Sequence, residues 1–124
     1  MKLKEIKKSI EDISKIKEVQ AIYLFGSRAR NEEKENSDVD ICIIGNLNDK
    51  EKSKIFYQFS DNVDLSFFNE LPLIIQIRIF KEGKPLFIKN EKEVELIMWK
   101  TLSKYREIFP LIKRRMEEMF EYVR

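Results

Sequence analysis

Val19-Gln20-Ala21-Ile22-Tyr23-Leu24-Phe25-Gly26-Ser27, ten residues, then Asp38-Val39-Asp40-Ile41-Cys42-Ile43-Ile44: this stretch decides the fold. Val19 to Phe25 is a nearly continuous apolar run, the pattern of a buried strand. Gly26-Ser27 ends it abruptly. Arg28 to Glu35 is polar and charged, which predicts a short helix and then a loop. Val39 to Ile44 is β-branched and apolar, a second strand closed by Gly45-Asn46. Side chains alternate along a strand, so Val39, Ile41 and Ile43 face one way and Asp38, Asp40 and Cys42 the other.

The same periodicities extend outward in both directions. Ile6, Ile10, Ile13 and Ile16 recur at helical spacing and predict an amphipathic helix over 2–17. Asp49 to Ser60 has helical character, with Ile55, Phe56 and Phe59 as its apolar side. Asp61-Asn62 signals a turn before a third strand, Val63 to Phe68. Leu71 to Lys81 predicts a helix with Pro72 in its first turn and Gly83 near its end. Leu86 to Ile88 is a short fourth strand. From Glu91 onward helical spacing is sustained, and Pro110 is expected to kink this helix or start a new one. The expected fold is a small α/β domain of the α+β type, with helices covering a mixed sheet of about four strands. It is expected to be a single domain over residues 1–124, with its core at 19–90 and a helical segment at 91–124.

Composition narrows the chemistry. The 124 residues carry 24 basic and 22 acidic side chains, a formal net charge of +2, which does not point to a nucleic-acid binder. There is no histidine, which excludes imidazole bases and histidine metal sites. The one cysteine, Cys42, cannot form an intrachain disulfide, and a reducing cytoplasm is the simplest home. The start has no apolar stretch of the secretory kind, and the most apolar run, Leu71 to Phe80, is interrupted by Gln76 and Arg78 and is far too short to span a membrane. Chemistry is left to carboxylates, lysines, arginines, hydroxyls and a metal.

Three segments supply such groups. Gly26 permits a tight turn and close approach by a ligand, a following helix start would offer backbone N–H groups, and Ser27 adds a hydroxyl: together a phosphate cradle. An ordinary strand-to-helix turn with Ser27 as N-cap fits the same residues. Asp38 and Asp40, two apart on one strand face, repel each other unless a divalent cation sits between them. Asp38 alone also suits a turn or cap, whereas a charge between Val39 and Ile41 needs a partner. Asp64 interrupts a third apolar strand, either as an edge charge or, if that strand neighbours the second, as a third converging carboxylate. Three carboxylates suit two magnesium ions, which take hard oxygen ligands and leave room for phosphates.

Gly26-Ser27, Asp38-Val39-Asp40 and an isolated Asp64, at these spacings, resemble the polymerase-beta-type nucleotidyltransferase superfamily. Phe25-Gly26-Ser27-Arg28-Ala29-Arg30 with Ser37-Asp38-Val39-Asp40-Ile41 resembles its minimal nucleotidyltransferase branch, typically paired as antitoxin with a HEPN-domain toxin. The branch often has Gly where this chain has Asn31, and Asn tolerates a left-handed backbone better than most residues. The resemblance implies ATP as donor and Mg2+, with two ions held by Asp38, Asp40 and Asp64. It implies that Gly26 and Ser27 fix the terminal phosphates and that Arg28 and Arg30 neutralise phosphate charge or meet the partner. It further implies adenylylation of a tyrosine on the HEPN ribonuclease. Two other readings stay open: an antitoxin that occludes its partner without chemistry, using the apolar faces of 91–123 or the Leu71–Phe80 helix, and a small-molecule nucleotidyltransferase. Plain core packing explains those apolar faces equally simply.

Overall fold

Apolar residues at helical spacing bury one side of the first helix, α1 (Leu3–Ser14): Ile6 and Ile13 are fully buried and Ile10 is partly buried. The computed structural model describes residues 3–26, 39–59 and 63–123. Strands β1 (Val19–Phe25), β2 (Val39–Gly45), β3 (Val63–Phe67) and β4 (Lys84–Ile88) form one four-stranded sheet in the order β3-β2-β1-β4. β1 runs antiparallel to both β2 and β4, and β2 runs parallel to β3. The parallel pair requires a crossover, and α2 (Asp49–Gln58) supplies it. Its start is fixed by a reciprocal capping box between Asn48 and Glu51, which satisfies two backbone donors at the helix entry.

Alternation along β1 and β2 splits the core into two layers. Val39, Ile41 and Ile43 pack with Ile22, Leu24, Ile6, Ile13 and Ile55 beneath α1 and α2. Cys42 and Ile44 pack with Ala21, Tyr23, Phe68, Ile79 and Val94 on the opposite side, under α3 (Leu73–Glu82) and α4 (Glu91–Val123). A register irregularity between Val19 and Ala21 lets Val19 and Ile22 share the α1 face. The fold is therefore α+β, a mixed sheet with helices on both faces. Ile43 lies at the centre of the α1 layer with no exposed surface. Ile43→Ala is expected to lower unfolding free energy by about 2–5 kcal/mol through lost burial and the remaining cavity, measurable by urea unfolding.

Several boundaries differ from those the sequence predicts, each for a local reason. Pro72 is the N-cap of α3 and not a first-turn residue. A 3-10 turn (Phe68–Glu70) ends β3 one residue early and buries the Phe68 side chain. β4 begins at Lys84, and Pro85 is tolerated because β4 is an edge strand. Pro110 neither ends nor restarts α4, which continues through it; one proline removes a single backbone donor from a helix of 33 residues. The short helix expected within 28–35 lies outside the described residues. Among the described residues no helix is long and apolar enough to cross a membrane.

Candidate active site

Strand directions bring three sequence-distant positions to one end of the sheet. β1 is antiparallel to β2, so its C-terminal end lies beside the start of β2, and Phe25 pairs with Asp40. β2 is parallel to β3, so their starts lie together, and Asp40 pairs with Asp64. Residues in register share a face, with backbones about 4.8 Å apart. Asp40 and Asp64 thus stand side by side on the face that carries Cys42 and Ser66 one pair further in. The condition left open by the sequence, that β3 neighbour β2, is met. Asp40 is half-buried and Asp64 is exposed.

Gly26 completes the corner. Its φ of 78° lies in the left-handed region, which favours glycine. A Cβ on this residue would collide with Asp40 Oδ2 and stand 3.1 Å from Asp40 Cγ. The Gly26 backbone therefore packs directly against the carboxylate, a close approach that any side chain would block. Ser27, Arg28, Arg30 and Asp38 lie outside the described residues, so of the expected site residues the structure brings together Gly26, Asp40 and Asp64.

The donor set fits a hard cation. Two adjacent carboxylates offer the oxygen ligands that magnesium takes, and their mutual repulsion falls when a divalent ion binds. Among the described residues no group of three or more possible metal ligands assembles; Asp38, the third expected carboxylate, is not one of them. Cys42 takes no part in chemistry here. Burial pushes its thiol up to about 12, so it stays protonated and non-nucleophilic at neutral pH.

One wall of the corner was not anticipated. α3 crosses the Asp40 face, anchored by Gln76, whose side-chain amide donates to Phe68 O at 2.8 Å. A pocket of about 150 Å³ opens beside Gly26, lined by Phe25, Ile75, Arg78 and Glu82. The available signal was Arg78, a charge inside the most apolar run of the chain.

Of the two readings left open for the apolar residues of 91–123, core packing accounts for only some of them. Val94 and Thr101 are buried, and Ile97 and Met98 pack against the α3 layer. Other apolar side chains of the same helix stand in solvent: Trp99 is 66% exposed, Phe109 44% and Leu111 67%. Tyr105 and Phe109 meet in a tilted ring contact, centroids 5.4 Å apart, which leaves Phe109 partly uncovered. The Leu71–Phe80 segment does behave as core, with Ile79 buried and Leu71, Ile75 and Phe80 packed beside it.

Comparison with known proteins identifies the family and the fold. A family model described as polymerase beta, nucleotidyltransferase, matches residues 4–92. A protein of Methanocaldococcus jannaschii, named as a candidate protein adenylyltransferase, is 33% identical over 100 residues, which cover 81% of this chain and 77% of that protein. A chain from a toxin–antitoxin crystal structure with AMP-PNP superposes with a TM-score of 0.77 at 23% identity, covering 97% of this chain and 99% of its own. A chain from the complex of a tri-AMPylated Shewanella oneidensis HEPN toxin with its MNT antitoxin gives 0.67 at 23% identity, covering 94% of each. At these identities the structural likenesses establish a shared fold.

Proposed function

The chain belongs to the polymerase beta nucleotidyltransferase family and is a transferase, and from that premise we propose that it moves AMP from ATP to a tyrosine of a HEPN-domain partner in the cytoplasm, with magnesium. The observation that supports this most is the pairing of Asp40 with Asp64 beside Gly26, whose backbone packs on the Asp40 carboxylate.

In this reading Asp38, Asp40 and Asp64 would hold two magnesium ions, which would supply charge stabilisation to the displacement. Gly26 and Ser27 receive the terminal phosphates, and Arg28 and Arg30 offset their charge or contact the partner. The tyrosine oxygen attacks the α-phosphorus in line. A new O–P bond forms, the bond from that phosphorus to the β-bridging oxygen breaks, and pyrophosphate leaves. Asp64, exposed at the mouth of the corner, accepts the hydroxyl proton. A protein acceptor suits the exposed apolar side chains of α4, which offer contact surface beyond the core. The adenylyltransferase name of the archaeal relative and the AMPylated toxin of the structural neighbour support the same choice.

Those exposed side chains alone would equally serve an antitoxin that blocks its partner by occlusion. Intact-mass spectrometry of the co-expressed partner separates the two. Transfer adds about 329 Da for each AMP residue, by the displacement chemistry above. An unmodified partner that is nevertheless silenced in a stoichiometric complex would overturn the catalytic reading.

A further inference from the structure

The two edges of the sheet are built differently. β4 carries Lys84 and Pro85, both exposed, and lysine and proline on an edge discourage a further strand. β3, Val63-Asp64-Leu65-Ser66-Phe67, carries neither, and among the described residues no strand pairs with its outer side. Alternate residues of such an edge turn their N–H and C=O groups outward, a template for an extended peptide. The two flanks of β3 also differ. Asp64, exposed, stands on one face with Ser66. Val63, Leu65 and Phe67 stand on the other, the face that α2 covers. Lys54, Tyr57 and Gln58 of α2 line a groove shared with α1. Lys52 and Phe56, one turn apart, lie on the opposite side of that helix and meet Phe67, the Phe56 ring centroid and Lys52 Nζ each 5.5 Å from its ring centroid. Phe56 still keeps 55% of its surface exposed. It forms an apolar shelf over the edge strand.

We propose that the outer edge of β3 takes the tyrosine segment of the protein acceptor as an added strand, with the tyrosine on the Asp64 face and its two neighbours on the Phe56 face. The inference rests on the nucleotidyltransferase reading and adds the manner in which the acceptor is held. An added strand lies about 4.8 Å beyond β3. A residue in register with Asp64 then points to the same side and stands next to the carboxylate that accepts the hydroxyl proton in that reading. Successive side chains alternate, so the residues on either side of the tyrosine fall over Val63, Leu65 and the exposed part of Phe56. Apolar residues suit those two places. A helix has its backbone groups paired internally and cannot use the edge, whereas an extended segment can. Main-chain hydrogen bonds hold the segment, so this chain needs no separate domain to bind its acceptor.

The test uses the intact chain, MgATP and a peptide that copies the partner's segment around the tyrosine modified in the mass measurement above. N-methylation removes the peptide's backbone donors one at a time. Alternate positions are expected to lose about tenfold in kcat/KM, the value of one hydrogen bond left unmade, while those between them stay near the parent peptide. Phe56→Glu, at an exposed position outside the carboxylate corner, should raise KM for the peptide by about tenfold with kcat and MgATP binding unchanged. Equal sensitivity at every N-methylated position, or at none, overturns strand addition. So does a peptide left unmodified by a chain that modifies the whole partner, or a Phe56→Glu protein with wild-type KM. A wild-type homodimer that Phe56→Glu splits into monomers would give the edge to a second copy and also overturns the proposal. A chain that transfers no AMP to the partner overturns the underlying nucleotidyltransferase reading, and the added strand with it.

Discussion

Asp40→Asn is expected to abolish AMP transfer in a protein that remains folded. The asparagine keeps the side-chain shape beside Gly26 and removes only the charge. Changes to groups that merely support metal ligands cost about 10–100-fold, so loss of a ligand should exceed about 100-fold. Stability should change far less than activity, because the asparagine keeps the side-chain volume that packs on the Gly26 backbone. That combination, lost activity in a protein that still melts cooperatively, is what a functional residue gives. Asp64→Asn should give the same phenotype. The double variant should lose little beyond either single one, since residues acting as a unit are not additive. The measurements are AMP incorporation by intact mass and thermal unfolding of each variant with and without magnesium. Wild-type turnover in a folded Asp40→Asn protein would sink the site.

How far this corner is legible in sequence depends on which interactions define it. The split of Val39, Ile41 and Ile43 from Asp40 and Cys42 follows from period-two alternation, and both core layers reproduce it. Asp64 needed more. Its position opposite Asp40 depends on α2 returning the chain parallel to β2, a long-range pairing that no local pattern encodes. The clash that reserves position 26 for glycine is likewise tertiary: sequence shows a strand ending in Gly, and only the antiparallel pairing of β1 with β2 shows what that Gly meets. Glu82 was opaque, and Arg78 showed only as a charge inside an apolar run, because an amphipathic run specifies that a helix packs, not where its edge ends up. The exposed half of α4 shows the same limit. Its spacing promises an apolar face, while the surface that covers that face need not belong to the same chain.

Gly26→Val should damage both stability and turnover, by two separable routes. At a φ of 78° a β-branched residue is strained whatever surrounds it, and non-glycine residues held in this region cost about 1–3 kcal/mol. The second route is the collision of the new Cβ with Asp40 Oδ2. Either the backbone at 26 moves, which disturbs the approach of the phosphates, or the carboxylate turns away from Asp64. A displacement of about 1 Å at a reacting centre can cost on the order of 100-fold in rate, so transfer should fall by about that much even under conditions where the variant is fully folded. A double-mutant cycle on stability separates the routes. Asp40→Ala removes the atoms that the valine strikes, so Gly26→Val should cost less in that background than in wild type, with the backbone strain as the remainder. Equal cost in both backgrounds would mean that the Gly26 backbone does not rest on the Asp40 carboxylate. The loss of turnover in Gly26→Val would then come from backbone strain at the turn.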